Sequence, residues 1–260
     1  MKAEPTTPAK AAPEKPLSEN FIRVWAPTLV VALFIITFIV QAFEIPSASM
    51  EKTLLIGDHV LVDRTRFSPP PTLFSGLLPY RPLQHGDIVV FMSVTDPGMH
   101  LVKRVMGLPG DHIKLIDKVV YRNGVALNEP YAIHQATPGC MDWIPFINGR
   151  DNWPNGELDQ ETPKWADSMD QYLQNGEIVV PPGHFFVMGD NRDCSYDSRY
   201  WGFVPDQNLI GRPVVVYWSY ESKEQDYEHV SISDRLTSLV STVAHFATRT
   251  RWARTFHITK

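Results

Sequence analysis

Two serines, Ser47 and Ser49, lie directly after a long apolar stretch of the chain, in the segment Pro46–Met50. A serine hydroxyl is a weak nucleophile and attacks a carbonyl carbon only when a neighbouring base takes its proton. The sequence has neither the HExxH spacing of a zinc site nor the GxxxxGK[ST] pattern of a phosphate-binding loop. A Ser–Lys pair is a recurrent solution, and Lys103 lies in the strand-like segment HLVKRVM. The sequence therefore predicts serine chemistry with no metal and no other cofactor.

Lys103 can serve as a base only if its amine is neutral. That requires its pKa to fall from about 10.4 toward roughly 7–8, and burial is the obvious means. Alternate residues of a strand share a face, so Leu101 and Val105 would flank Lys103 while Arg104 points away. By composition alone, a lysine beside an arginine is more often a surface charge.

Further motifs follow the serine pair in a fixed order along the chain. TLLIGD spans residues 53–58, and KRV precedes GLPGD within residues 103–111. GDNRDCSYDSR spans residues 189–199 and is followed by WGFVP. Together with the serine pair, these motifs resemble those of the bacterial type I signal peptidases over roughly 44–130 and 177–220. The resemblance implies a membrane-bound serine endopeptidase that cleaves signal peptides from exported preproteins after small residues.

The resemblance also implies roles for individual residues. Ser49 is the nucleophile, and Lys103 is the general base. The Ser47 hydroxyl and the Ser49 backbone N–H stabilise the oxyanion. Ser195 is expected to hydrogen-bond to the amine of Lys103 and orient it, and Asp197 and Arg199 are expected to form a supporting ion pair.

The sequence departs from the family pattern at three positions. Ala48 stands where glycine is common, Lys52 replaces the usual proline and Cys194 replaces the usual asparagine. The loss of the proline removes a fixed φ and adds a charge near the nucleophile. Whether Cys194 is a buried thiol or pairs with Cys140 stays open, since sequence does not show how far apart they lie.

Two alternative functions explain part of the same pattern. Ser49 and Lys52 form a literal S-x-x-K, the first motif of the penicillin-recognising enzymes, but that motif starts a helix and is followed by K-T-G, which is absent. A non-catalytic, membrane-tethered β scaffold is the other alternative. It leaves the ordered motifs unexplained.

The apolar stretch predicts a single transmembrane helix over residues 21–43. Within it, 20 consecutive positions carry no charge, enough to cross about 30 Å of hydrocarbon and more than the 7–15 or so apolar residues of a cleaved signal. Lys10, Lys15 and Arg23 precede the stretch, whereas only Lys52 follows closely. The positive-inside rule therefore predicts a cytoplasmic N-terminus and a catalytic domain on the outer side. At the bacterial inner membrane that the resemblance implies, this side is the periplasm.

The chain has 260 residues, 43% of them hydrophobic, and a formal net charge of −5. The acidic balance argues against nucleic acid as a partner. The resemblance implies preprotein substrates and the apolar stretch predicts contact with the lipid bilayer, while the oligomeric state is not determined. The predicted fold class is mostly β after the transmembrane helix. The domain prediction is a disordered tail at 1–20, a catalytic domain at 44–225 with an irregular insertion at about 131–176, and a helical segment at 226–260.

Within the catalytic domain, Gly-Asp turns at 57–58, 86–87 and 110–111 precede short runs rich in β-branched residues, which predicts strands. Asn123-Gly124 predicts a hairpin, and further strands are predicted at 177–180, 184–188 and 213–218. The insertion carries three tryptophans that we expect to anchor it: Trp143, Trp153 and Trp165. The proline-rich stretch 68–82 is either a buried loop or a contact with the membrane surface.

Amphipathic spacing near the C-terminus predicts a helix packed on the domain or on the membrane through five residues: Leu236, Leu239, Val240, Val243 and Ala247. The three arginines after it are expected to form a solvated face: Arg249, Arg251 and Arg254.

Overall fold

The computed structural model describes residues 17–65, 67, 80–135, 151–154, 163–222 and 240–259. The chain divides into two compact units, Met1–Ile39 and Val40–Lys260. In the first unit, helix α1 (Leu17–Phe34) continues into a π-helical turn at Ile35–Ile39. Among the described residues, no helix has both the length and the apolarity needed to cross a membrane.

Two predicted boundaries differ from the structure. Helix α1 begins at Leu17, inside the predicted tail, and residues 1–16 lie outside the described residues. Residues 40–43, predicted as the end of the transmembrane helix, belong to strand β1 (Val40–Glu44). The reason is long-range pairing, because β1 lies antiparallel to the segment 59–63 along its whole length.

The second unit is mostly β, as predicted. Its strands after β1 are β2 (Asp58–Asp63), β3 (Ile88–Met92), β4 (His100–Gly107), β5 (His112–Ile116), β6 (Val119–Arg122), β7 (Val125–Ala126), β8 (Leu173–Gln174), β9 (Glu177–Val179), β10 (His184–Met188), β11 (Val204–Pro205), β12 (Leu209–Ser219) and β13 (His257–Ile258). Its helices include α2 (Pro163–Met169) and α3 (Ser198–Trp201). The strands predicted after Gly-Asp turns and the Asn123-Gly124 hairpin between β6 and β7 are all present.

The strands form two sheets among the described residues. The larger has the order β1-β2-β12-β3-β4-β10-β11, with β13 pairing with β12. The smaller has the order β7-β6-β5-β9-β8. Strand β4 lies inside the larger sheet between β3 and β10, so both of its edges are hydrogen-bonded to protein and its central side chains are buried.

The predicted insertion is only partly irregular. Helix α2 and strand β8 lie within it, while residues 136–150 and 155–162, including Trp143, lie outside the described residues. Trp153 and Trp165 are buried in the core cluster that contains Phe186 of β10. These two indole rings therefore anchor the insertion, as the sequence predicts. Residues 68–79 of the proline-rich stretch also lie outside the described residues.

Residues 240–259 form a segment that we call the C-terminal arm. It is helical at 240–244 and at Phe246–Arg249, turns through a 3-10 helix at Trp252–Arg254 and ends in β13. The predicted helical segment at 226–260 therefore differs from the structure at its end, where the chain turns back to pair with β12. Val240 and Val243 are 68% and 71% exposed rather than packed, and Leu236 and Leu239 lie outside the described residues.

Candidate active site

The serine and lysine predicted to react are in direct contact. The Nζ atom of Lys103 donates a hydrogen bond to Ser49 Oγ over 2.7 Å. Ser49 lies in the 3-10 turn Ala48–Met50 between β1 and β2, and Lys103 lies in the middle of β4. The two residues are 54 positions apart in sequence, so only the folded sheet brings them together.

The amine of Lys103 is almost completely removed from water, with 3% of the residue exposed. Burial lowers its pKa from 10.5 to about 8, because a low-dielectric interior disfavours the charged form. The carboxylate of Asp197 raises this pKa and the guanidinium of Arg199 lowers it, so their effects on the amine oppose each other. The net result is a lysine with a substantial neutral fraction near neutral pH.

Ser47 lies beside Ser49. Its backbone is extended, with φ −129° and ψ 158°, and the 3-10 turn starts at the next residue. The two hydroxyl oxygens, Ser47 Oγ and Ser49 Oγ, are 3.3 Å apart. A donor at this distance from the nucleophile can reach an oxygen of a group bonded to it, which is the geometry that oxyanion stabilisation needs.

Ser195 has different partners from those the sequence predicts. Its hydroxyl donates to Asp197 Oδ2 over 2.7 Å and accepts from the Gly189 backbone N–H over 3.1 Å. The described hydrogen bonds include none between Ser195 and Lys103. For the Ser195 hydroxyl, the carboxylate of Asp197 is a stronger acceptor than the amine of Lys103, because the carboxylate is charged. It also lies only two residues away in the chain.

Asp197 and Arg199 form the predicted ion pair. Arg199 donates from Nε to Oδ1 over 2.9 Å and from Nη2 to Oδ2 over 3.0 Å. Burial raises the pKa of Asp197, but the pairing with Arg199 and the hydrogen bonds from Ser195 and Gly189 together hold it below its ordinary value. The carboxylate therefore stays charged, and it also caps the first turn of α3 by accepting from the Arg199 backbone N–H.

The Gly189 backbone fits closely between the nucleophile and Ser195. A Cβ atom at this position would lie 2.5 Å from the Ser49 carbonyl oxygen and 2.3 Å from Ser195 Oγ. The Asn191 N–H donates to that same Ser49 carbonyl over 3.1 Å. The backbone of the GDN motif therefore fixes the main chain of the nucleophile, a contact that requires glycine.

Sequence reasoning missed two further buried ion pairs. Arg104, which follows Lys103 on β4, donates to Asp190 through Nε over 2.7 Å and through Nη2 over 2.6 Å. Arg192 donates to Glu129 over 2.9 Å and 2.6 Å. The sequence shows charged residues at these places, Arg104 beside Lys103 and Asp190 within the GDNRD motif. It does not show which charge pairs with which, because sequence spacing does not identify the partner.

Two of the residues that depart from the family pattern, Lys52 and Cys194, have partners other than Ser49 and Lys103. Lys52 has φ +79° and its Nζ donates to the Pro130 carbonyl over 2.6 Å, so the amine of the S-x-x-K alternative is bound away from Ser49. Cys194 is disulfide-bonded and packs near Ala48, while Cys140 lies outside the described residues. Residues 49–58, which run from the nucleophile into β2, are called the nucleophile loop below.

The site thus contains a serine hydroxyl that is hydrogen-bonded to a buried lysine, with a second hydroxyl beside it. These are the groups that a serine hydrolase with a lysine base requires. The family model described as signal peptidase, peptidase S26, matches residues 18–218. Signal peptidase I of Pseudomonas aeruginosa is 32% identical over 219 residues, covering 80% of this chain and 75% of the relative. Signal peptidase I of Rickettsia typhi is 34% identical over 204 residues, covering 73% and 76%.

A crystal structure of a signal peptidase I from Enterococcus faecalis is 29% identical, covers 51% of this chain and 97% of that chain, and has a TM-score of 0.35. Family membership follows from the sequence matches. The chain belongs to the peptidase S26 family of signal peptidases and is a serine endopeptidase.

Proposed function

We propose that this peptidase cleaves signal peptides from exported preproteins, with Ser49 as the nucleophile and Lys103 as the general base. One observation carries the assignment of the residues: the hydrogen bond of 2.7 Å between Lys103 Nζ and Ser49 Oγ, made by a lysine whose pKa burial lowers to about 8. The relatives' name, signal peptidase I, supports the choice of substrate.

In the acylation step, the neutral amine of Lys103 takes the proton of the Ser49 hydroxyl as Oγ attacks the scissile carbonyl carbon. The carbonyl oxygen becomes an oxyanion that accepts hydrogen bonds from the Ser47 hydroxyl and from the Ser49 backbone N–H. The protonated amine then returns the proton to the leaving amino group. The signal peptide stays bound to Ser49 as an ester.

In the deacylation step, the same amine, neutral again, removes a proton from a water molecule that attacks the ester. Oγ leaves and recovers its proton from Lys103. Both half-reactions use Lys103 as the base, and the charges of Asp197 and Arg199 both act on its amine. Asp197 itself exchanges no proton, since its carboxylate is held in the charged form.

The test compares cleavage of a preprotein ending in Ala-x-Ala at the cut by the wild type and three variants in detergent. Ser49→Ala and Lys103→Ala are expected to abolish cleavage, because each removes one member of the dyad. Lys52→Ala is expected to retain it, because Lys52 bonds to Pro130 rather than to Ser49. Loss of cleavage in Lys52→Ala together with survival in Lys103→Ala would reverse the assignment of the base.

The proposal includes attachment to the bacterial inner membrane through the helical part of the predicted span, residues 21–39, with the catalytic domain on the outer side. The absence of charge after Arg23 in this segment and the excess of Lys and Arg before it support this topology. Such a helix would hold Ser49 near the bilayer surface, where the apolar stretch of a signal peptide presents its cleavage site. Release of the protein from membranes by alkaline carbonate would contradict the anchor. If an added protease digests the catalytic domain only when the cytoplasmic face of the membrane is exposed, the proposed orientation is wrong.

A further inference from the structure

The C-terminal arm carries two arginines that bind the nucleophile loop. Arg254 Nη2 donates to the Thr53 carbonyl over 3.1 Å and to Asp58 Oδ2 over 2.5 Å. Arg251 Nη1 donates to the Ile56 carbonyl over 2.9 Å. These are the arginines that the sequence predicts to be solvated. Their side chains instead satisfy carbonyl groups of a loop that lies about 200 positions earlier in the chain.

The fold depends on the contact between Arg254 and the nucleophile loop because of Asp58. The residue is fully buried and accepts from the Leu55 N–H over 2.9 Å and from the Ser219 hydroxyl over 2.6 Å. Arg254 is its only salt-bridge partner among the described residues. A buried carboxylate needs a cation to offset its loss of hydration, so Asp58 holds the guanidinium of Arg254 in place beside the loop.

A second set of contacts connects the same loop to the dyad. The Thr53 hydroxyl donates to Asp190 Oδ2 over 2.5 Å, and Asp190 is held by both arms of the Arg104 guanidinium. Arg104 adjoins Lys103 on β4. Thr53 is thus bound through its carbonyl to the C-terminal arm, and through its hydroxyl to Asp190, which is paired with Arg104 of the strand that carries the base.

We propose that Arg254 is a positioning residue for the nucleophile: it fixes Thr53, and through Thr53 the distance between Ser49 and Lys103. The inference rests on the proposed roles of that serine and lysine. Because a misplacement of about 1 Å in a catalytic group can lower a rate by roughly 100-fold, a loop only four residues beyond the nucleophile is close enough to control it.

The test uses the full chain in detergent and measures kcat, KM and the pH dependence of kcat, corrected for the folded fraction from thermal unfolding. Arg254→Met is expected to lower kcat by about 10- to 100-fold while KM changes less than about threefold. Arg254→Lys is expected to lower kcat less, because an ammonium group still pairs with Asp58. Some loss is expected to remain, because that group does not reach both Asp58 and the Thr53 carbonyl equally. Arg249→Met is the matched control, since Arg249 is an exposed arginine of the same arm, and is expected to match the wild type.

A double variant separates positioning from charge neutralisation. Asp58→Asn combined with Arg254→Met removes both members of the buried ion pair, so it is expected to regain thermal stability relative to Arg254→Met. Its kcat is expected to stay low, because the Thr53 carbonyl still lacks its donor. Recovery of the wild-type kcat in this double variant would overturn the proposal, as would an Arg254→Met activity loss fully explained by its unfolded fraction.

Failure of the dyad assignment is recognised separately in the same assay. If Ser49→Ala still cleaves, the nucleophile is wrong whatever Arg254→Met does. If Ser49→Ala is inactive and folded Arg254→Met cleaves like the wild type, the dyad stands and the positioning role of Arg254 is refuted.

Discussion

The rate of cleavage is expected to rise with pH along the titration of a single buried amine. Burial lowers the pKa of Lys103 from 10.5 to about 8, a shift equivalent to about 3 kcal/mol. At pH 7 a pKa of about 8 leaves roughly one lysine in eleven neutral, about 300-fold more than the unshifted amine would supply. We therefore expect kcat/KM to rise about tenfold between pH 7 and pH 9 and to level off above pH 9.

The assay is the initial rate of cleavage of an Ala-x-Ala preprotein at low substrate concentration in detergent, measured from pH 6 to pH 10. A second preprotein with no ionisable side chain near the cut shows whether the titrating group belongs to the enzyme. Lys114→Met is the matched control. Lys114 pairs with Glu177 over 2.8 Å in the smaller sheet, so its loss should leave the inflection unchanged.

The sign of the effect is fixed by which form reacts. A base must be neutral, so activity is lost as the pH falls through the pKa of Lys103 in the folded protein. A rate that rises about tenfold per pH unit from pH 7 to pH 9 and has not levelled off by pH 10, as an ordinary lysine pKa of about 10.4 would give, would refute the argument that burial activates this amine. A rate independent of pH from 7 to 9 would show that Lys103 is not the titrating base.

Two substitutions test the surroundings of the dyad. Gly189→Ala is expected to abolish cleavage and to lower stability, because its Cβ would lie 2.5 Å from the Ser49 carbonyl oxygen. Gly98→Ala, whose Cβ would lie 3.4 Å from Asp96 Oδ1, is the control, and a fully active Gly189→Ala enzyme would disprove the close fit. Asp197→Asn is expected to cost about 3–5 kcal/mol of unfolding free energy, since it leaves Arg199 buried without its charge partner. Denaturant unfolding measures the second effect, and a loss below about 1 kcal/mol would mean that the pair is dispensable.

Local patterns predicted most of the strands. Gly-Asp turns followed by β-branched runs gave β2, β3 and β5, and Asn123-Gly124 gave the hairpin of β6 and β7, because turn chemistry and alternation act over a few residues. The same approach failed for β1. Residues 40–43 continue an uncharged apolar run, and their strand conformation depends on pairing with β2, which local hydrophobicity does not encode.

The C-terminal arginines illustrate the same limit for charged residues. A basic run is usually a solvated face, and Arg249 is exposed. Arg251 and Arg254 reach the nucleophile loop, since the arm folds back onto β12 and brings them to carbonyl groups far earlier in the chain. The sequence has no periodicity or spacing that records this return.

The sequence by itself determined the chemistry available to the protein: serines at one site, a lysine as the candidate base, and ordered motifs shared with a peptidase family. The tertiary structure decided whether that chemistry can operate. It placed Lys103 within 2.7 Å of Ser49, buried its amine and directed the Ser195 hydroxyl to Asp197 rather than to the lysine. The physical reason is that a pKa and a hydrogen-bond partner depend on what surrounds a side chain in space, and those neighbours come from strands far apart along the chain.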